Sequence, residues 1–205
     1  MKTTFGKTAS MRKSYLRRIT VTGILSAAAT VLMILEFPVP FLMPTFIKFD
    51  FSELPALLAA FSVGPASGAA VCLVKNLIHL PFTSTGGVGE LCNFLLGLCF
   101  VLPAGILYRL KKNRHSALLG ALCGAWLMAA CSVPLNYFVS YPVYTKFMPI
   151  DVIVEMYQAL LPGVNGLLQC LVVFNMPFTL AKGLVDVLLV FFIYKSLSPL
   201  LRGKR

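Results

Sequence analysis

The chain has 205 residues, 58% of them hydrophobic and only 12% charged, whereas about a quarter of the residues in a soluble domain carry charge. That composition excludes an ordinary soluble enzyme and describes a polytopic, all-α membrane protein. A net charge of +11 would suggest nucleic acid in a soluble protein, but the basic residues sit between apolar runs, which argues for no nucleic-acid partner and a lipid bilayer instead.

Residues 1–18 form a basic tail with Lys2, Lys7, Arg12, Lys13, Arg17 and Arg18, expected to lie at an anionic inner leaflet. Phe5-Gly6-Lys7-Thr8 looks like the end of a phosphate loop, but the upstream glycine is missing, so the chain is not expected to be an ATPase. A basic start before an apolar run also fits a signal peptide. Here SAAAT lies inside the run and acids and prolines follow it, so the run is read as a retained span. That first span, 19–35, carries Gly23, Ser26, Ala27 and Thr30 at helical spacing. Small faces allow close approach in lipid, so this face either packs internally or docks a partner subunit through Gly23, Ala27 and Thr30.

Residues 36–52, EFPVPFLMPTFIKFDFS, contain three prolines that oppose helix, while Phe37, Phe41, Phe46 and Phe49 make the segment too apolar for a solvated linker. It is expected either to fold down over something or to anchor at the interface. The stretch 49–82 follows. It is long enough for one tilted span, yet Gly64-Pro65 sits in its middle, where glycine adds freedom and proline removes a donor. Further spans are expected at 91–107, 117–137 and 177–196.

Charge decides the count. The tail, the loop 109–116 (Arg109, Lys111, Lys112, Arg114) and the C-terminal end (Lys195, Arg202, Lys204, Arg205) hold 14 of the 18 basic residues and none of the seven acids. Basic short loops stay cytoplasmic, so an even number of spans must separate each pair. The stretch 49–82 is therefore expected to be two short spans, giving six in all with both ends inside. The expected division is a tail at 1–18, a six-helix unit at 19–197 and a tail at 198–205. The six cysteines include no CxxC pair and are read as reduced, packed hydrophobes.

The last outer segment, 139–175, contains DVIVEMYQALLP. It is read as an interfacial helix with Asp151, Glu155 and Gln158 on one face and Val152, Met156 and 159–160 on the other. Asn175, Thr179, Lys182 and Asp186 then recur at i, i+4, i+7 and i+11 as one polar stripe. With six spans, Asp50, Lys75, Asn76, Asn93, Asn136, Asn175, Thr179 and Lys182 share the outer half of the bundle. Polar residues within spans face an interior site by default, and together these predict a capture cavity open outward rather than a channel. Local alternatives stand beside this: Lys182 and Asp186 neutralising each other, His79 as a packing residue, Asn93 and Asn136 as interhelical glue, and Asp50 with Ser52 as a helix cap. No HExxH, paired intraspan carboxylates or GxSxG motif points to catalytic residues or a metal.

FPVPFL (37–42), FDFSELPALLAAFSVGPASG (49–68), VKNLI (74–78), PLNYFVSYPVY (134–144) and MPFTLAKG (176–183) together resemble the riboflavin-specific substrate-binding component of energy-coupling factor (ECF) transporters. The resemblance implies a plasma-membrane protein that binds riboflavin beneath its first loop, with the vitamin as substrate rather than cofactor. It implies work with a membrane coupling protein and two ATPases, and release by toppling. It further implies Asn136 and Lys182 as riboflavin ligands and the small face of the first span as the docking place. Thr179 stands where the family usually has an amide, which bears on preference among flavins. A capture subunit for another vitamin or for FMN, a solitary facilitator and a membrane enzyme are the alternatives.

Overall fold

The computed structural model describes the backbone of residues 2–83, 85–146 and 148–202, and within these the side chains of residue 12 and residues 15–193. The tail side chains Lys2, Lys7, Lys13, Lys195 and Arg202, the residues Lys204 and Arg205, and the side chains of residues 5–8 lie outside the described residues.

The protein is mostly helical. Helix α1 runs over Lys2–Ile34, so the basic tail continues the first apolar run as one helix. The expected small-residue face of α1 divides in two. Ser26 and Thr30 are buried, with the Thr30 hydroxyl donating to Ser26 O at 2.9 Å, whereas Gly23 and Ala27 stay exposed. Thr30 therefore sits at the buried edge of the face that carries Gly23 and Ala27: i, i+4 and i+7 span only about 60° round a helix, and the bundle covers that edge.

Residues 35–52 fold over the bundle. Two short antiparallel strands, β1 at Phe37–Pro38 and β2 at Lys48–Phe49, close the segment on itself with Phe37 opposite Phe49. Met43 is fully buried in a cluster with Tyr141, Ile153, Tyr157 and Leu171. The segment is thus packed down on the bundle, the first of its two expected alternatives.

The stretch 49–82 breaks where the glycine predicts. Helix α2 (Glu53–Ser62) ends, Gly64 takes φ +139, and α3 (Pro65–His79) starts with proline in its first turn. A positive φ of that size suits glycine, and proline's fixed φ suits a helix start. The two helices pack antiparallel. A Cβ on Gly68 would lie 2.9 Å from Ala60 Cβ, and Lys75 near the far end of α3 reaches Glu53 at the start of α2. At 1.5 Å per residue, α2 is only about 15 Å long, half a hydrocarbon core. The pair is therefore a hairpin that returns to the level at which it began.

Among the described residues, four helical runs are long and apolar enough to cross a membrane: Tyr15–Ile34, Val88–Leu110, Arg114–Tyr144 and Leu167–Ile193. The second is α4 (Val88–Leu110). The third joins α5 (Arg114–Leu135), a π turn at Asn136–Ser140 and α6 (Tyr141–Tyr144). Between α4 and the last run lies α7 (Ile150–Gln158), and the last run joins α8 (Leu167–Cys170), a π turn at Leu171–Asn175 and α9 (Met176–Arg202). Helices α4 and α5 meet on glycine: a Cβ on Gly124 would stand 2.2 Å from the Phe100 carbonyl oxygen.

The last two of these runs are longer than the spans expected at 117–137 and 177–196, since one continues to Tyr144 and the other begins at Leu167. Each π turn ends two residues before a proline, Pro142 or Pro177. A proline lacks its N–H and its ring presses on the carbonyl four residues back; a widened turn accommodates both without ending the helix. Helix α7 is amphipathic with Asp151 and Glu155 outward, but its buried residues are Ile153 and Tyr157 rather than Val152 and Met156.

Candidate functional site

Beneath loop 35–52 lies a cavity of about 210 Å³. A single water needs only about 10–15 Å³ on this measure, so the space suits an organic molecule. Phe46, Asp50, Asn93, Asn136, Thr179 and Lys182, brought from the loop, α4, the first π turn and α9, all line it. Of the residues expected at the site, Lys75 and Asn76 do not. They form a layer behind the wall, where Lys75 is fully buried and Asn76 Nδ2 donates to Cys72 O at 2.8 Å on its own helix.

The charged groups pair off. Lys182 Nζ donates to Asp50 Oδ2 at 2.6 Å, tying the loop to α9, and Asp50 Oδ1 accepts the Ser52 N–H at 2.8 Å. Burial alone would push the Asp50 carboxyl up, but the Lys182 and Lys75 ammoniums outweigh it and hold the group well below the usual carboxylate range. Lys75 Nζ donates to Ser52 Oγ at 2.5 Å and Glu53 Oε1 at 2.6 Å. Ser52 thus serves Lys75 and caps no N–H of α2 with its side chain. At the mouth, Lys48 meets Glu36 at 2.5 Å across the loop strands. The local alternative, Lys182 and Asp186 neutralising each other, is not what forms: Lys182 turns to Asp50, and both Asp186 carboxyl oxygens are buried with no hydrogen-bond partner among the described residues. A lysine one turn away can reach either carboxylate, and the loop brings the better-placed one.

Aromatic rings of Phe46, Tyr141, Tyr144 and Phe178 also line the cavity. Phe46 places its ring edge-on to Tyr141, Tyr144 and Tyr157 at 6.5, 6.2 and 6.4 Å, and Phe49 meets Phe178 at 5.8 Å. Tyr157 donates to Asn175 Oδ1 at 2.7 Å, and burial, then the neighbouring Tyr141, pushes its phenol up, so it stays protonated. The side chains of Asn93, Asn136 and Thr179 make no hydrogen bond among the described residues, which leaves two amides and a hydroxyl available to a ligand. His79 packs its Nδ1 on Glu90 Oε1 at 3.0 Å at the cavity edge, and Glu90 Oε2 accepts from Thr83 Oγ1 at 2.8 Å, ordering the loop after α3.

Sequence reasoning missed Glu36, Lys48, Glu53, Glu90, Tyr141 and Tyr144 in the lining. The acid that opens α2 and the proline-adjacent tyrosines carried a signal, since a π turn re-aims the side chains beside it. Glu36 with Lys48 and His79 with Glu90 carried none, because their pairing depends on loop closure.

Apolar helices around a lidded cavity, with amides and aromatics on its wall, define a membrane solute-binding protein. The family model described as "ECF transporter, substrate-specific component" matches residues 17–194, and the chain belongs to this family. It is 34% identical over 186 residues to Riboflavin transporter RibU of Staphylococcus aureus (strain TCH60), covering 91% of this chain and 93% of that one. It is 31% identical over 192 residues to Riboflavin transporter FmnP of Bacillus subtilis (strain 168), covering 92% and 96%. Among solved structures, an S component of a bacterial ECF transporter superposes with a TM-score of 0.72 at 33% identity, covering 93% of this chain and 99% of that chain. The protein is a transport component of the membrane, not an enzyme.

Proposed function

We propose that this chain captures riboflavin from outside the cell and delivers it inward together with a membrane coupling protein and two ATPases. The observation that carries this is the lidded cavity, lined by Asn93, Asn136, Thr179 and Lys182 together with Phe46, Tyr141 and Phe178. Riboflavin is flat and uncharged, with acceptors along one ring edge and hydroxyls on its tail. Amides and an ammonium pair with edge and tail, and aromatic rings cover the face. The relatives' names point to the same vitamin. Residues 19–197 act as the membrane unit between the tails 1–18 and 198–205. Gly23 and Ala27 on α1 remain exposed for the coupling protein.

In this reading both termini and loop 109–116 are cytoplasmic and the cavity faces out. The α2–α3 hairpin supports it, because a hairpin that returns to its starting level leaves the parity of crossings even. A membrane-impermeant amine reagent is expected to leave Lys111 and Lys112 unlabelled in intact cells and to label them after lysis; labelling before lysis would overturn the orientation.

The ion pairs favour riboflavin over its phosphate. The two lysines that line the cavity, Lys48 and Lys182, each already hold a carboxylate within 2.6 Å, so neither is left for a dianion. Protein purified from its host should be yellow, and in titrations riboflavin should bind at least about tenfold more tightly than FMN, or about 1.4 kcal/mol. Colourless protein that leaves riboflavin fluorescence unquenched would defeat the flavin assignment, and equal affinity for FMN would defeat the charge argument alone.

A further inference from the structure

Behind the cavity wall three polar groups form a directed chain. The Tyr141 and Tyr157 hydroxyls lie 2.5 Å apart, and Tyr157 donates to Asn175 Oδ1. A carboxamide oxygen only accepts, so the single Tyr157 proton is engaged there, and the contact between the phenols must use the Tyr141 proton. Asn175 therefore turns its Nδ2 away from Tyr157. The Asn175 side chain also reaches the Tyr141 hydroxyl, which leaves one of the two amide hydrogens free among the described residues. The nitrogen is not sealed inside the protein as Asn76 Oδ1 is, and Asn175 lines the cavity. Tyr157 is fully buried on α7 and does not line it.

We infer that Asn175 contacts the ligand as a hydrogen-bond donor, and that Tyr157 is a positioning residue that makes this corner of the cavity present N–H rather than C=O. The ligand atom met there is an unprotonated acceptor, a carbonyl oxygen or a ring nitrogen. This rests on the flavin reading, since a flavin ring edge carries both. The amide is held from two sides: the π turn at Leu171–Asn175 places its backbone, and the Tyr157 hydroxyl binds its oxygen. Phe46 packs on the same tyrosines, so seating the loop and aiming the amide depend on one cluster.

The test is a cycle of riboflavin titrations, read by quenching of flavin fluorescence, on wild type, Tyr157→Phe, Asn175→Ala and the double variant. Ligand-free melting is recorded for each. Tyr157→Phe is expected to weaken binding by about 3- to 10-fold in the wild-type background, the scale of one hydrogen bond, and to have no further effect beside Asn175→Ala. A loss of the same size in both backgrounds would show a merely structural role and overturn the relay. Asn175→Ala alone should weaken binding by about tenfold, and unchanged affinity would overturn the assignment even if Tyr157→Phe does not fold. A wild type that fails to quench riboflavin sinks the flavin reading and this inference with it; quenching by wild type with unmoved variants sinks the inference alone.

Discussion

Lys182→Ala is expected to weaken riboflavin binding by about 10- to 100-fold, or about 1.4–2.8 kcal/mol, the scale of a lost hydrogen bond from a charged group. Lys182 is the ammonium on the cavity wall that joins α9 to the loop, through Asp50 at 2.6 Å. On the proposed function its removal acts twice: riboflavin loses a donor, and Asp50 keeps a buried charge without its nearest partner, so the lid loses its tether. The two effects separate in Asp50→Asn/Lys182→Met, which removes both charges. That double variant should regain much of the ligand-free melting temperature that Lys182→Ala loses, while riboflavin affinity stays low. Recovery of affinity in the double variant would show that Lys182 only holds the loop.

Gly124→Ala should cost about 3 kcal/mol of stability, the upper end for overpacking a filled core. Its Cβ would stand 2.2 Å from the Phe100 carbonyl oxygen, and backbone cannot turn aside as a side-chain tip can. Helices α4 and α5 would have to separate, and α4 carries Asn93 while α5 leads into Asn136, so the cavity would widen with them. A lower detergent melting temperature and weaker riboflavin binding are expected together. Gly163→Ala is the control, because a Cβ there meets nothing within 4 Å. Equal melting of the two variants would mean that the α4–α5 contact is not tight.

Much of the site could be read along the chain because it is made of residues costly to place in lipid. Asn93, Asn136, Thr179 and Lys182 stand out in apolar runs, and a polar group there needs an interior partner. Lys75 stands out for the same reason, yet its partners are Ser52 and Glu53 behind the wall. Membrane depth could be inferred for it, but direction round the helix could not. The expected spans stopped at 137 and began at 177, whereas each helix passes its proline, Pro142 or Pro177, on a π turn whose width local propensity does not reveal.

Composition, the spacing of basic loops and Gly64-Pro65 determined by themselves that the chain is a helical membrane protein that doubles back after its first loop, because apolar length, charge and backbone freedom are properties of a segment alone. Tertiary structure alone decided which carboxylate each lysine meets, that Thr30 turns inward while Gly23 and Ala27 stay out, and that Tyr157 reaches Asn175 from a helix outside the long spans. Those outcomes depend on distances between segments far apart in the chain. Asp50 and Lys182, 132 residues apart, meet only after the loop has closed over the bundle.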